Sequence, residues 1–201
     1  MRIHDACTIH SGFTARGKLE PVEFGGVPTI QLRDISVEGV VDPDRLARAP
    51  LEGVADRYLV RAGDVLFRSR GERTTACALD ERFVEPAVAV LPILVLRPKR
   101  DVVLPEYLAW AINQPAAQRH FDETSYGTNI RMVPRSSLDD LELDIPDIAT
   151  QEKIIAIDAL AGREQELSIL AAERRKRLTG MILAERAKSM RPTAGQERKA
   201  K

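Results

Sequence analysis

The apolar positions divide the chain into two unequal parts. From Gln151 to about Met190 they recur at helical spacing: Ile154, Ile157, Leu160, Leu167, Leu170, Leu178, Met181 and Ile182. No proline interrupts this stretch, its glycines are Gly162 and Gly180, and it is built mainly from Ala, Leu, Ile, Glu, Lys and Arg, which favour helix. At about 1.5 Å per residue it predicts a helix of about 60 Å. Written as heptads, one column reads Ile157, Glu164, Ala171, Leu178 and the next Leu160, Leu167, Arg174, Met181. The seam is apolar at both ends and polar in the middle. Two readings follow. The helix is either a solvated amphipathic helix lying partly on its own domain, or a coiled-coil element whose seam meets an extended partner, most simply a second copy. On the second reading Ile157, Leu160, Leu167, Leu170, Leu178 and Met181 are the dimerisation residues.

The part before Gln151 follows other rhythms. Residues 1–12 end in a glycine and predict a first strand or a short helix. Val27–Ile35 alternates and predicts a strand. Tyr58–Phe67 predicts two short strands around a turn at Ala62-Gly63-Asp64, and Ala87–Leu96 a buried strand broken or bulged at Pro92. Leu104–Phe121 predicts an amphipathic helix with Pro105 at its start and an interruption near Pro115. Leu138–Pro146 alternates again and predicts a final strand, with Thr150 as the N-cap of the long helix. Lys153 stands where a capping box would have Glu, so only half of that motif is present. The expected fold class is α+β: a strand-rich mixed domain over residues 1–148, a long helix over 149–190, and a tail of disordered composition over 191–201.

Composition narrows the function. Of the 201 residues 44% are hydrophobic and 30% charged, and no stretch approaches the length of a membrane span. The N-terminal sequence lacks the apolar core of a signal peptide, so a cytoplasmic location is expected. Cys7 and Cys77, with His4, His10 and His120, have no zinc spacing and are expected as reduced thiols. Lys plus Arg equals Asp plus Glu at 30 each. That excludes a wholesale polycation but not a local basic face. The strongest local positive charge before the helix is the polar loop Arg68–Thr75, with Arg68, Arg70 and Arg73.

Catalytic signatures are missing. There is no phosphate loop, dinucleotide fingerprint, HExxH or Gly-x-Ser-x-Gly elbow, and no proline-rich motif of an adenine methyltransferase. Asp139, Asp140, Glu142 and Asp144 cluster, but the alternation assigns them to the solvated face of a strand rather than a nuclease centre. The chain reads as a binder, not an enzyme, with no cofactor or metal of its own.

In chain order, Ser11-Gly12-Phe13-Thr14, Pro28–Ile35, Ala62–Phe67, Pro105-Glu106-Tyr107-Leu108, Tyr126–Ile130, and Ile145-Pro146 through Gln151–Ile154 resemble half of a specificity (S) subunit of type I restriction–modification systems. One target-recognition domain and one spacer helix are present. The junction Pro146-Asp147-Ile148-Ala149-Thr150 lacks the second proline and leucine usual there.

The resemblance implies a non-catalytic DNA-recognition subunit of a DNA methylation complex. With one domain and one helix per chain, it implies a homodimer whose antiparallel helices set the distance between two half-sites of an inverted repeat. Its partners would be double-stranded DNA, a methyltransferase subunit that holds S-adenosylmethionine, and a restriction subunit where the system restricts. The outer face at Glu173–Arg177 is either a docking surface for that subunit or simply solvated.

DNA contact needs cations for phosphates and polar side chains for base edges. The candidates are Arg68, Ser69, Arg70, Arg73 and Thr74 on one loop; Tyr126, Thr128, Asn129 and Arg131 on a second; and Thr14, Arg16 and Lys18 on a third. Arg70 suits guanine, Asn129 adenine, and Arg68, Arg73 and Arg131 phosphate. The plainer alternative is a solvated loop whose arginines pair with Glu72, Asp80 or Glu81. A second function class also stands: an S-like scaffold or regulatory fragment that dimerises and binds the methyltransferase without reading DNA.

Overall fold

The computed structural model describes residues 1–15, 17–36, 38–71, 74–127 and 131–190. It divides into two compact units, Met1–Ile155 and Ala156–Lys201.

The first unit opens with α1 (Ile3–Ala6) and β1 (Cys7–Ser11), so both elements foreseen for this stretch occur in tandem. β2 (Val27–Ile30) is shorter than its alternation predicts, because the chain turns into a 3₁₀ turn at Leu32–Asp34. That turn is closed by the Gln31 amide donating to Asp34 Oδ2 at 2.8 Å. β3 (Arg48–Ala49), β4 (Leu59–Val60), β5 (Val65–Arg68) and β6 (Thr75–Ala78) follow. The apolar run 87–96 is two strands, β7 (Ala87–Ala89) and β8 (Ile93–Pro98), joined through a cis Leu91–Pro92 peptide. The expected amphipathic helix is split at Gln114 into α2 (Pro105–Asn113) and α3 (Pro115–Thr124). α4 (Arg135–Asp139) precedes α5 (Ile148–Ser189).

Among the described residues the strands form two sheets. One has the order β1-β8-β5-β6, with every pair antiparallel. The other has the order β3-β2-β7-β4, in which β2 and β7 run parallel. β7 and β8 are consecutive in sequence yet belong to different sheets, so the turn at 90–92 carries the chain from one layer to the other.

Burial explains the continuous apolar strands. Val65, Phe67, Leu94 and Leu96 join a core with α1 to α4, through Ile3, Tyr107, Leu108, Ile112, Phe121 and Leu138. The alternate residues Leu66, Cys77, Ile93 and Val95 join a second core with Ile30, Val60, Ala87 and Ala89 of the other sheet. The order is helix, sheet, sheet. The middle sheet is buried on both faces at its central strands, so β5 and β8 are continuously apolar up to Arg68 and Arg97. Each fully buried large side chain contributes on the order of 1.5–3 kcal/mol.

Two sequence expectations are corrected. Leu138–Pro146 is not a strand. Its start, Leu138–Asp139, is helical in α4, and beyond it an isolated bridge of Arg2 to Glu142 forms, its partner being residues 1–3 rather than a sheet. The alternation survives as burial, with Leu141 and Leu143 inside and Glu142 and Asp144 outside. Nor is Thr150 the cap of α5. The helix starts at Ile148, and Asp147 Oδ1 accepts the Thr150 amide at 2.8 Å. That bond holds the Asp147 carboxyl below the usual range.

The first turn of α5 is tied down by Gln151, which is fully buried. Its Oε1 accepts the Leu104 amide at 2.8 Å, and its Nε2 donates to Val102 O at 3.0 Å and Pro146 O at 2.7 Å. From Ala156 onward α5 is exposed on every side, Ala171 alone being half-buried. Ile157, Leu160, Leu167, Leu170, Leu178 and Met181 all lie open.

Candidate functional site

β5 leads straight into the arginine loop. Phe67 at its end packs on Phe121 of α3, with ring centroids 5.0 Å apart. Ser69, next but one, is buried and donates its hydroxyl to Pro92 O. The Val133 amide donates to Ser69 O at 2.8 Å, and the Gly71 amide to Arg131 O at 3.1 Å. Arg70 bridges Met132, and Met132 bridges Tyr126. The two loops singled out in the sequence are therefore joined edge to edge through Met132, although more than fifty residues separate them.

The third segment arrives at the same place. Phe13 bridges Val90, its amide donating to Ala89 O at 2.7 Å, while the Leu91 amide donates back at 3.0 Å. Gly12 lies against this turn so closely that a Cβ would sit 2.8 Å from the carbonyl oxygens of both Ala89 and Ile93. The turn at 90–92 thus carries Phe13 on one side and, through Pro92, Ser69 on the other. Thr14 follows Phe13 directly, and both Thr14 and Lys18 are exposed.

The candidate side chains do not share one condition. Arg70 is exposed, and Arg68 is half-buried with its Nε donating to Arg70 O at 3.3 Å. Among the described residues neither guanidinium has a carboxylate within 4.0 Å. Asp80, a possible internal partner, pairs instead with Arg82 at 3.0 Å. Tyr126 is 56% exposed, its hydroxyl on Met132 Sδ.

Three candidates are engaged within the protein. Ser69 is buried and its hydroxyl is already donated. Thr74 donates to Gln118 Oε1 at 2.8 Å and is half-buried. Arg131 is exposed but engaged: it pairs with Asp122 Oδ1 at 2.9 Å and donates to Asp122 O at 3.0 Å and to Ser125 Oγ at 3.2 Å. Arg16, Arg73, Thr128 and Asn129 lie outside the described residues.

The partners of these anchors were missed in the sequence. Gln118 and Asp122 stand one turn apart on α3, so one helix holds Thr74 of the first loop and Arg131 of the second. Gln118 is itself oriented by donating to Ile112 O at 2.9 Å. Asn113, at the end of α2, pairs with both backbone groups of Ala76 in edge strand β6, at 2.9 and 2.8 Å. Only the polar residues beside the break at Pro115 hinted at this. No group of three or more metal-ligating side chains occurs among the described residues, and none of their helices is long and apolar enough to cross a membrane. What the site offers is exposed guanidinium and hydroxyl donors on a braced backbone.

No family model matches the chain, and no curated protein matches it either. Solved structures do. A chain from work on complex assembly and conformational transition of the type I R-M system aligns with a TM-score of 0.61 at 18% identity, over 90% of this chain and 42% of its own. The type I restriction–modification S subunit from M. genitalium aligns at 0.56 and 14% identity, over 88% of this chain and 42% of its own. The HsdS subunit from Thermoanaerobacter tengcongensis aligns at 0.56 and 19%, over 85% and 38%. The chain spans about two fifths of the length of these structures. It has the fold of type I restriction–modification S subunits, in the form of one strand-rich domain and one long helix.

Proposed function

We propose that the chain is a non-catalytic, sequence-specific DNA-recognition subunit of a type I restriction–modification or DNA methyltransferase complex. It acts as a homodimer through α5, reads a bipartite inverted repeat, and docks a methyltransferase subunit that holds S-adenosylmethionine and flips the target base. The observation that carries this reading is the linking of three separate polar segments, two of them at the 90–92 turn and the third through Met132, with Arg70 exposed and Arg68 beside it, both clear of described carboxylates. Arg70 is assigned to a base edge, with Arg68, Lys18 and Thr14 on the phosphate backbone. Arg73, Thr128 and Asn129 keep the roles their sequence positions suggest. The bound site would be cytoplasmic DNA.

The internal engagement of Ser69, Thr74 and Arg131 favours a second reading, an S-like scaffold that binds the methyltransferase without reading DNA. One experiment separates the two. The full chain, with and without its methyltransferase subunit, is incubated with a randomised duplex pool, and the bound fraction is sequenced. Recognition predicts enrichment of a split inverted repeat, and Arg70→Ala then costs about 1–3 kcal/mol and relaxes one position of each half-site. A dimer that enriches nothing under either condition leaves the scaffold reading and removes the recognition one.

A further inference from the structure

A second fixed cation stands beside the 90–92 turn. The 3₁₀ turn Asp56–Tyr58 runs into β4, and one side chain pins its backbone. Arg97 Nη2 donates to the carbonyl oxygens of Asp56 at 3.2 Å, Arg57 at 3.4 Å and Leu59 at 2.8 Å. Arg97 is itself held by Asp64, 3.6 Å away. The Arg57 side chain is fixed as well. Its guanidinium lies over the Tyr58 ring, 4.7 Å from the centroid, and its Nη2 donates to Tyr58 Oη at 3.1 Å. Tyr58 in turn meets Phe13 edge-on, with centroids 5.5 Å apart and ring planes at 84°. Phe13 bridges Val90. The row Arg57, Tyr58, Phe13 therefore ends on the turn whose other side holds Ser69 and the arginine loop.

The charge of Arg57 is not used within the protein. The residue is exposed, and among the described residues no carboxylate lies within 4.0 Å of its guanidinium. Asp56, its neighbour, is taken by Arg61 at 2.8 Å, a bond that holds the Asp56 carboxyl below the usual range. His10 of β1 registers the local field. Burial first, then Arg97, Arg135 and Arg57, hold its imidazole below the ordinary value against the single opposing carboxylate of Asp64. Among the described residues, Nε and Nη1 of Arg57 have no hydrogen-bond partner. A planar donor edge that is already oriented suits an anion with several oxygens. Laid flat on Tyr58, the side chain does not project as a groove reader must. It suits a phosphate, not a base edge.

We propose that Arg57 is a further DNA contact, a phosphate clamp carried on Tyr58 and Phe13 across the 90–92 turn from the arginine loop. The inference rests on the DNA-binding part of the proposed function and adds a contact that supplies affinity without sequence preference. A cation on each side of the turn also fixes how the duplex lies over it, since the phosphate backbone must reach both.

The test is the salt dependence of binding, read by fluorescence anisotropy of the full chain on a labelled mixed-sequence duplex between about 50 and 200 mM salt. Arg57→Ala is expected to lower the slope of log affinity against log salt by about 0.9 for each chain bound. At the lower salt it should weaken binding about tenfold. Arg57→Lys retains the cation and keeps the slope. Arg45→Ala removes the same charge from a residue paired with Asp42 at 3.3 Å and leaves the slope at the wild-type value. An Arg57 that merely props Tyr58 would shift the urea midpoint on truncation and leave the slope alone, and that result overturns the proposal. A fall in slope that Arg45→Ala reproduces overturns it too. Sequencing the fraction bound from a randomised pool checks the target of the contact. Arg57→Ala should select what the wild type selects, and a relaxed position would refute the phosphate assignment. The labelled duplex needs no recognised sequence. A wild-type chain that binds it but selects nothing from the pool defeats the recognition reading, while the fall in slope still upholds Arg57. A wild-type chain that binds no duplex, with or without its methyltransferase subunit, defeats both.

Discussion

Replacing Gln151 by alanine removes the one fully buried side-chain amide that joins the first turn of α5 to the loops before α2 and before α5 itself. In the native protein the amide makes three bonds, at 2.8, 3.0 and 2.7 Å, and no part of the residue is exposed. The truncation leaves the Leu104 amide and the Val102 and Pro146 carbonyls without their partner. Each is part-buried, so the low end of the penalty for an unsatisfied group applies, about 1 kcal/mol apiece. The space left by the missing amide adds a cavity cost. The expected loss is about 3–5 kcal/mol. For a unit of this size 1 kcal/mol moves Tm by about 2–4 °C, so a fall of about 10 °C or more is expected.

The assay follows from the sequence. Trp110 is the only tryptophan and packs beside Tyr107 with centroids 5.3 Å apart. Its fluorescence during urea unfolding therefore reports the first unit without interference from the rest of α5. Gln151→Glu sharpens the argument. It keeps an acceptor for Leu104 but turns an anion toward two carbonyl oxygens, and the buried site raises the carboxyl's folded pKa. A raised folded pKa means that stability is present at low pH and is lost as pH rises, so this variant should recover on acidification while the alanine variant does not. A loss below about 1 kcal/mol for alanine, at unchanged m value, would refute the accounting of unsatisfied groups.

Two further outcomes are expected. Cys7 and Cys77 are buried, and burial pushes both thiols up to about 12 from 9.0; an aromatic disulfide reagent at pH 8 should find neither until the protein unfolds. Because the folded pKa is raised, the unfolded thiols ionise first, and stability should decline between about pH 9 and 12 as measured by urea midpoint. Gly12→Ala drives a Cβ to 2.8 Å from two carbonyl oxygens at the 90–92 turn, a cost of about 1–3 kcal/mol in unfolding free energy; wild-type stability in that variant would mean the turn is not fixed.

Much of the fold was legible because its elements are written locally. The long helix needs only period and composition, and α2 announces itself with Pro105 at its first position. β7 and β8 were visible as apolar sequence, but not as members of different sheets, since which sheet a strand joins depends on partners far away in the sequence, such as Thr29 for Val88 and Ile9 for Leu96. The final strand was misread for a related reason. Leu141 and Leu143 alternate with Glu142 and Asp144 as a strand would, and that alternation records burial, which an extended segment beside residues 1–3 satisfies equally well. Thr150 lost the cap to Asp147 because both types cap well, and the choice is made by where the chain leaves Pro146.

The candidate site was legible as a set of loops and illegible as an arrangement. Residue type alone made Ser69, Thr74 and Arg131 look like hands for DNA, yet each is held within the protein by a partner that no local pattern marks: Pro92 O, Gln118 and Asp122. The same pairing shows how zero net charge leaves room for a local basic face. Arg48, Arg61, Arg82, Arg97, Arg131 and Arg135 each sit beside a carboxylate, on Glu85, Asp56, Asp80, Asp64, Asp122 and Asp139 in turn. Those carboxylates cancel arginines that brace the domain, and they are spent there. At Arg68 and Arg70 no described carboxylate does so. A phosphate approaching the molecule meets the local field, screened beyond about 10 Å in 0.1 M salt, not the total of the charges. A neutral chain with its acids committed elsewhere can therefore present the same face to DNA as a basic one, and its affinity should fall with salt as the number of phosphates engaged at that face requires.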